Sequence, residues 1–243
     1  MKLKDRKIVI TGGTKGLGKA LLNRFVDEGA NVAICARTQK DLAATVQELS
    51  SKSSVLAKQC DISSSSQARD FISAVIAEFG TLDILVNNAS KLGQRVSIAD
   101  AEISIWDEVI QTNINGAFFC SKFAIPAMIK KGSGCIINVS SSVGKAGRKH
   151  WGAFAVSKFG VEGLTQVLAE ELKPFNVRVN SVNPGPMATE MRSQAYPTED
   201  QSLLRKANQV TDIFVYLASY DGVGISGQSF DASTFIGNLQ VNP

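Results

Sequence analysis

The stretch KIVITGGTKGLGKALLNRFVDEG, residues 7–29, decides how the rest of the chain is read. It starts with the β-branched run KIVIT, turns through a cluster of glycines, and continues with apolar residues at helical spacing. Gly12, Gly16 and Gly18 let the backbone turn sharply and approach a pyrophosphate closely. They also open a helix whose first amide N–H groups and positive dipole end face phosphates. A glycine-rich turn alone is weak evidence, but directly after an N-terminal strand and ahead of a helix it points to a dinucleotide.

Working outward, similar short runs recur: NVAICA (31–36), SVLAKQ (54–59), LDILVN (82–87), CIINVS (135–140), VRVNSV (177–182) and QSFD (228–231). Most are nearly all apolar rather than alternating, as strands of a parallel sheet covered on both faces must be. Stretches with helical spacing lie between them, VEGLTQVLAEEL (161–172) among them, and the serine run 63–66 reads as a helix start. Repeated βαβ units predict an α/β fold, a single-domain Rossmann-type doubly wound parallel sheet of about seven strands. Ligands in such a sheet bind beyond the carboxyl ends of the strands, where the strand order switches, so the loops after the strands are the ones to read.

A chain of 243 residues with 44% hydrophobic content is long enough for one such domain over 1–243 without a linker. Charged residues at 20% and aromatics at 7% suit a soluble globular protein, and no run approaches the ~18 apolar residues of a membrane span. The apolar run IVI near the N-terminus is too short for a secretory signal, so the expected location is cytoplasmic. Cys35, Cys60, Cys120 and Cys135 stand singly in apolar runs without CxxC spacing or a nearby histidine, which suggests buried thiols and no metal. The net charge of +4 comes with basic clusters scattered among acidic residues, a solvated surface rather than a nucleic-acid face.

The second run ends at Cys35 and Ala36, where an NAD-selective fold places a carboxylate on the ribose 2′-hydroxyl. Here Arg37 follows instead, and Lys15 of the glycine loop can reach the same group. Two cations at that place favour a 2′-phosphate, hence NADP over NAD.

TGGTKGLG (11–18), Cys60 and Asp61, NNA (87–89), Asn113, the serines after the fifth run, and Ser157 with Lys158 fall in an order that resembles the short-chain dehydrogenase/reductase family, from about residue 7 to 232. The resemblance implies that Asp61 contacts the adenine, that Asn87 and Asn88 lie beside the adenosine ribose, and that PGPMAT (184–189) holds the nicotinamide amide. Ser90 replaces the last glycine of the family's NNAG motif. It extends the cofactor-binding set to Thr14, Leu17, Ile62, Pro184, Gly185 and Thr189. The implied activity is hydride transfer between NADP(H) and a small-molecule carbonyl or alcohol by an Asn, Ser, Tyr and Lys tetrad. Asn113 matches the asparagine that kinks a helix and holds a water, Ser141 the serine that bonds the substrate oxygen, and Lys158 the lysine on the nicotinamide ribose.

The tyrosine position falls on Phe154, in WGAFAVSK (151–158). Phenylalanine keeps nearly the volume of tyrosine but removes the phenolic proton. Three explanations stand: a variant silenced at its active site, a natural NADP(H)-binding sensor or subunit, or another acid such as His150. Tyr196, Tyr216 and Tyr220 lie too late in the chain to match the motif, Tyr196 within the lid. A substrate lid is expected over about 187–208, with Met187, Met191 and Tyr196 its larger residues, and the basic loop 145–149 would favour an anionic substrate or carrier. The resemblance implies a homodimer or homotetramer, and the run GAFFCSKFAIPAMI (116–129) fits an oligomer face or the core equally.

Overall fold

The computed structural model describes residues 1–49 and 55–235. Its strands are β1 Lys7–Thr11, β2 Asn31–Ala36, β3 Leu56–Gln59, β4 Ile84–Asn87, β5 Gly134–Val139, β6 Val177–Asn183 and β7 Ser229–Asp231. The helices are α1 Gly16–Asp27, α2 Gln39–Leu49, α3 Ser65–Phe79, α4 Ile103–Ile110, α5 Gly116–Lys131, α6 Gly152–Leu172, α7 Glu190–Ala195 and α8 Asp212–Ala218. All seven apolar runs form strands, each within two residues of its expected bounds where described; Ser54, the first residue of the third, lies outside the described residues.

The strands form one sheet in the order β3-β2-β1-β4-β5-β6-β7, every neighbouring pair parallel. Alternate residues of each strand enter different cores. Ile8 and Ile10 pack with Leu21 and Phe25 of α1 and Phe214 of α8. Val9 packs on the other face with Phe71 and Ile72 of α3 and Cys120 and Met128 of α5. Both faces being covered is why the strands are continuously apolar, and each such side chain contributes about 1.5–3 kcal/mol on burial.

The chain runs outward through β1, β2 and β3, then returns to lay β4 against the free side of β1. This reversal opens a crevice between the loops after β1 and β4. Thr11 Oγ1 ties the two loops together, accepting from Asn88 N and Ala89 N at 3.0 Å each.

Ser64 caps α3 by accepting from Gln67 N, so the serine run does begin a helix. Between α4 and α5 the backbone widens into π-helical geometry over Gln111–Asn115, the site of the implied kink at Asn113. One side of the run 116–129 is intramolecular core, since α5 buries Ala117, Cys120, Ser121, Ala124 and Met128. All four cysteines are buried and unpaired. No helix among the described residues is long and apolar enough to cross a membrane.

Candidate active site

The glycine loop is shaped as the sequence predicts, for reasons that can be measured. A Cβ on Gly18 would lie 2.1 Å from the Gly12 carbonyl oxygen and 2.6 Å from Asn88 Nδ2, so only glycine lets the first turn of α1 rest on the loop. Gly16 takes φ +51° and faces Thr189, whose methyl group would stand 3.4 Å from an added Cβ. The glycine loop and the 184–189 segment thus line opposite sides of one mouth. Gly185, with φ +75° and open space before it, donates its N–H to Asn183 Oδ1 at 3.1 Å. Thr189 caps α7 by accepting from Arg192 N. Ile62 packs on the start of α5, where a Cβ on Gly116 would lie 2.6 Å from Ile62 Cδ1. Thr14 is half-buried in the loop and Pro184 precedes Gly185 at the mouth.

Three expected cofactor residues have side chains turned to other work. Leu17 is buried in the core beneath α1, which leaves only its backbone for a phosphate. Asn87 gives both amide hydrogens to Ser121 Oγ (3.0 Å) and Asn138 Oδ1 (2.8 Å), in a buried polar ladder that Asn138 continues to Thr165 Oγ1. Asn88 gives both of its own to the Thr11 and Gly12 carbonyls. These asparagines brace the loop from behind, because a buried amide between strand ends must satisfy its donors locally.

Arg37 is exposed at the end of β2, and its carbonyl accepts from Gln59 Nε2 at 2.8 Å. Lys15 is also exposed, between Asp41 (3.8 Å) and Glu190 (3.5 Å). Burial works to raise the pKa of Asp61, but hydrogen bonds from Ser63 and the charges of Arg37 and Lys91 outweigh it and hold the carboxyl below the usual range.

At the other end of the crevice, Lys158 is buried on α6. Its Nζ donates to the Val139 carbonyl at 2.8 Å and lies 5.5 Å from the centroid of the Phe154 ring. Burial pushes Lys158 down to about 8, against the opposing pull of the Glu162 carboxylate. Glu162 is itself held by Ser181 Oγ at 2.7 Å and Ser229 Oγ at 3.1 Å. Ser141 follows β5 beside them, half-buried, its Oγ accepting from Val143 N at 3.4 Å. The turn after it reaches α6 because a Cβ on Gly144 would be only 2.9 Å from the Lys158 backbone.

The Asn113 side chain is fully committed. Its Oδ1 accepts from Lys91 N at 2.8 Å, and its Nδ2 donates to Lys91 O at 3.0 Å and to Ser157 Oγ at 2.9 Å. Ser157 Oγ donates onward to the Phe154 carbonyl at 2.7 Å. Asn113 therefore braces the loop after β4 against α6 through its side chain. The structure thus brings Asn113, Ser141, Phe154 and Lys158 together from three separate segments, the last two residues sharing α6.

His150 is exposed at φ +68°, before α6 begins. Lys145, Arg148 and Lys149 are exposed on the same loop, with Lys145 Nζ 3.9 Å from Asp231. Over Phe154 sits an aromatic cap: Trp151 lies 5.6 Å from Phe154 and 6.0 Å from Tyr196, centroid to centroid, with Met191 and Leu92 packed alongside. Tyr196 and Met191 thus pack the lid, while Met187 belongs to the main core. The sequence does not single out Trp151 or Arg95, nor the bridging role of Ser157. Ser157 and Trp151 stand inside stretches singled out for their neighbours, and Arg95 lies in a loop without periodicity.

A glycine loop at the switch point of a doubly wound sheet, joined by one crevice to a buried lysine, defines a dinucleotide-dependent oxidoreductase. The chain belongs to the short chain dehydrogenases, the family whose model matches residues 6–200. It is 30% identical to the Escherichia coli oxidoreductase YciK over 95% of this chain and 92% of that one. To the 3-oxoacyl-[acyl-carrier-protein] reductase FabG of Staphylococcus epidermidis it is 33% identical, over 93% and 96%. A short chain dehydrogenase of Shigella flexneri, solved in complex with NADP, superposes with a TM-score of 0.92 at 30% identity, covering 96% of this chain and 98% of that one.

Proposed function

We propose that this chain is an NADP(H)-dependent oxidoreductase that interconverts a carbonyl and an alcohol, with the general-acid position occupied by Phe154. The observation that carries the reading is the pairing of Lys158 with Phe154 at 5.5 Å, a buried cation facing a ring that has no hydroxyl. Preference for the phosphorylated cofactor is supported by Arg37, exposed at the end of β2 with no carboxylate in its place. The NADP held by the Shigella relative agrees with it.

NADPH, when bound, supplies the hydride to the carbonyl carbon. The residues of the chain do the rest. Ser141 Oγ donates to the substrate oxygen, and Lys158 fixes the nicotinamide ribose. The proton for the developing alkoxide has no phenol to come from, and the buried Lys158 ammonium is the donor next to the Phe154 ring that can pass one through solvent. Loss of a positioned acid costs typically ~10²–10⁴-fold in rate.

The test is steady-state NADPH oxidation with a panel of ketones, aldehydes, quinones and acyl substrates, comparing this chain with Phe154→Tyr, alongside NADPH binding to both. A large gain on restoring the phenol supports a reductase that lacks only its acid. Equal activity of the two would require another donor. Silence of both with NADPH bound favours the second reading, a catalytically silent NADP(H)-binding sensor or subunit, which the missing hydroxyl also supports.

The active assembly is proposed to be a homodimer or homotetramer. Phe118 on α5 and Val156, Phe159 and Val167 on α6 are all exposed, the last three along one helical stripe.

A further inference from the structure

Arg95, in the loop after β4, is an unneutralised cation in the aromatic cap over Phe154. Its guanidinium carbon lies 4.8 Å from the Trp151 ring centroid and 4.4 Å from that of Tyr196, and Trp151 in turn rests on Phe154. Its Nη1 donates to the Ala195 carbonyl of the lid, while its Nε is buried without an acceptor. A neighbouring guanidinium shows what is missing. Arg192 stacks on Tyr196 at 3.9 Å but is held in a bidentate pair by Glu199, with both contacts at 2.5 Å. No carboxylate among the described residues forms an ion pair with Arg95.

A fixed, partly buried guanidinium whose Nη2 makes no hydrogen bond among the described residues can meet an oxyanion in a charge-assisted pair. Its placement is also preorganised. Asn113 grips Lys91 of the same loop through both backbone groups, and the aromatic rings hold the plane of the guanidinium.

We propose that Arg95 is the specificity-determining residue of this site and that the substrate class is a carbonyl compound bearing a carboxylate, which Arg95 binds while the carbonyl faces Ser141. The proposal rests on reading the crevice beside Phe154 as the carbonyl site, and its test does not depend on turnover.

Calorimetric titration would use two probe pairs, benzoylformate with its methyl ester and levulinate with its methyl ester, on the full chain saturated with NADP⁺. Binding of NADP⁺ is measured first and separately; if it fails, the cofactor reading falls and the probe pairs are run on the free chain. The expected result is that in at least one pair the acid binds about tenfold or more tightly than the ester, the scale of a charge-assisted hydrogen bond. That preference should disappear in Arg95→Met and persist in part in Arg95→Lys. A merely structural role for Arg95 would weaken acid and ester alike in Arg95→Met. Equal affinities within both pairs, binding of neither acid, or a preference that survives Arg95→Met would each overturn the proposal.

Discussion

The ammonium of Lys158 lies 5.5 Å from the centre of the Phe154 ring and is anchored to the Val139 carbonyl at 2.8 Å. The ring preserves the packing of the site and gives the cation a π face, a contact worth up to about 2 kcal/mol when desolvated, but it has no proton to give.

Restoring that proton defines the first expected outcome. Phe154→Tyr should raise kcat by about 10²–10⁴ while leaving NADPH affinity unchanged. Its effect on stability should stay under about 1.5 kcal/mol, because the two rings are nearly equal in volume. Stopped-flow and steady-state NADPH oxidation, with a denaturant melt, measure all three.

Lys158 makes stability depend on pH in a direction opposite to a paired lysine. Its pKa falls from 10.5 in the unfolded chain to about 8 when folded. Between those values the unfolded state binds more protons, so stability rises with pH across the window and the destabilisation is fully present below pH 8. At about 1.4 kcal/mol per pH unit this amounts to about 3 kcal/mol. Lys158→Met should accordingly be more stable than the parent at pH 7 and lose most of that advantage by pH 10. Urea melts at the two pH values decide it, and an increment independent of pH would contradict the buried-cation account.

The same titration governs residual turnover. If the Lys158 ammonium is the proton source, any NADPH oxidation by the unaltered chain should decline above pH about 8, where burial releases its proton. Lys158→Met should abolish the remaining rate, and a flat profile from pH 7 to 10 would point to a donor elsewhere.

Arg37 is exposed at the end of β2, the position proposed to read the 2′ group. Arg37→Ser should weaken NADPH binding by about tenfold or more, the scale of a lost charge-assisted contact, with little change for NADH. Fluorescence titration with both cofactors separates loss of selectivity from loss of the site.

On the outer face of α6, Phe159 is 47% and Val167 54% exposed. The double change Phe159→Glu and Val167→Glu should shift the chain to monomer in light scattering at micromolar concentration without changing its circular dichroism. An unchanged mass, or a monomeric parent, would remove this stripe from the assembly.

Much was legible in advance because it is encoded locally. Continuous apolar runs separated by helical spacing predict a parallel sheet covered on both faces, and Ile8, Val9 and Ile10 do divide between two cores. The clash that a Cβ at Gly18 would make with Gly12 is a short-range matter as well. The resemblance to the family's motif order also marked Asn113, Ser141, Phe154 and Lys158, which lie on the π-helical turn before α5, just after β5, and on α6.

Which atoms those residues would touch was another matter. The side chains of Asn87 and Asn113 sit in a cofactor motif and a catalytic motif, yet the fold spends them on Ser121, Asn138, Lys91 and Ser157, because buried amides must find partners among whatever neighbours packing supplies. Arg95 carries no sequence signal at all. It meets Trp151 and Tyr196 only after β4, α6 and the lid have been assembled around it, and its lack of a neutralising carboxylate is a property of that assembly. The sequence by itself determined the sheet and the glycine turn, through periodicity and backbone sterics that act over a few residues. Tertiary structure alone decided the charge and hydrogen-bond environment of the site, since those depend on groups far apart in the chain being brought within contact distance and shielded from water.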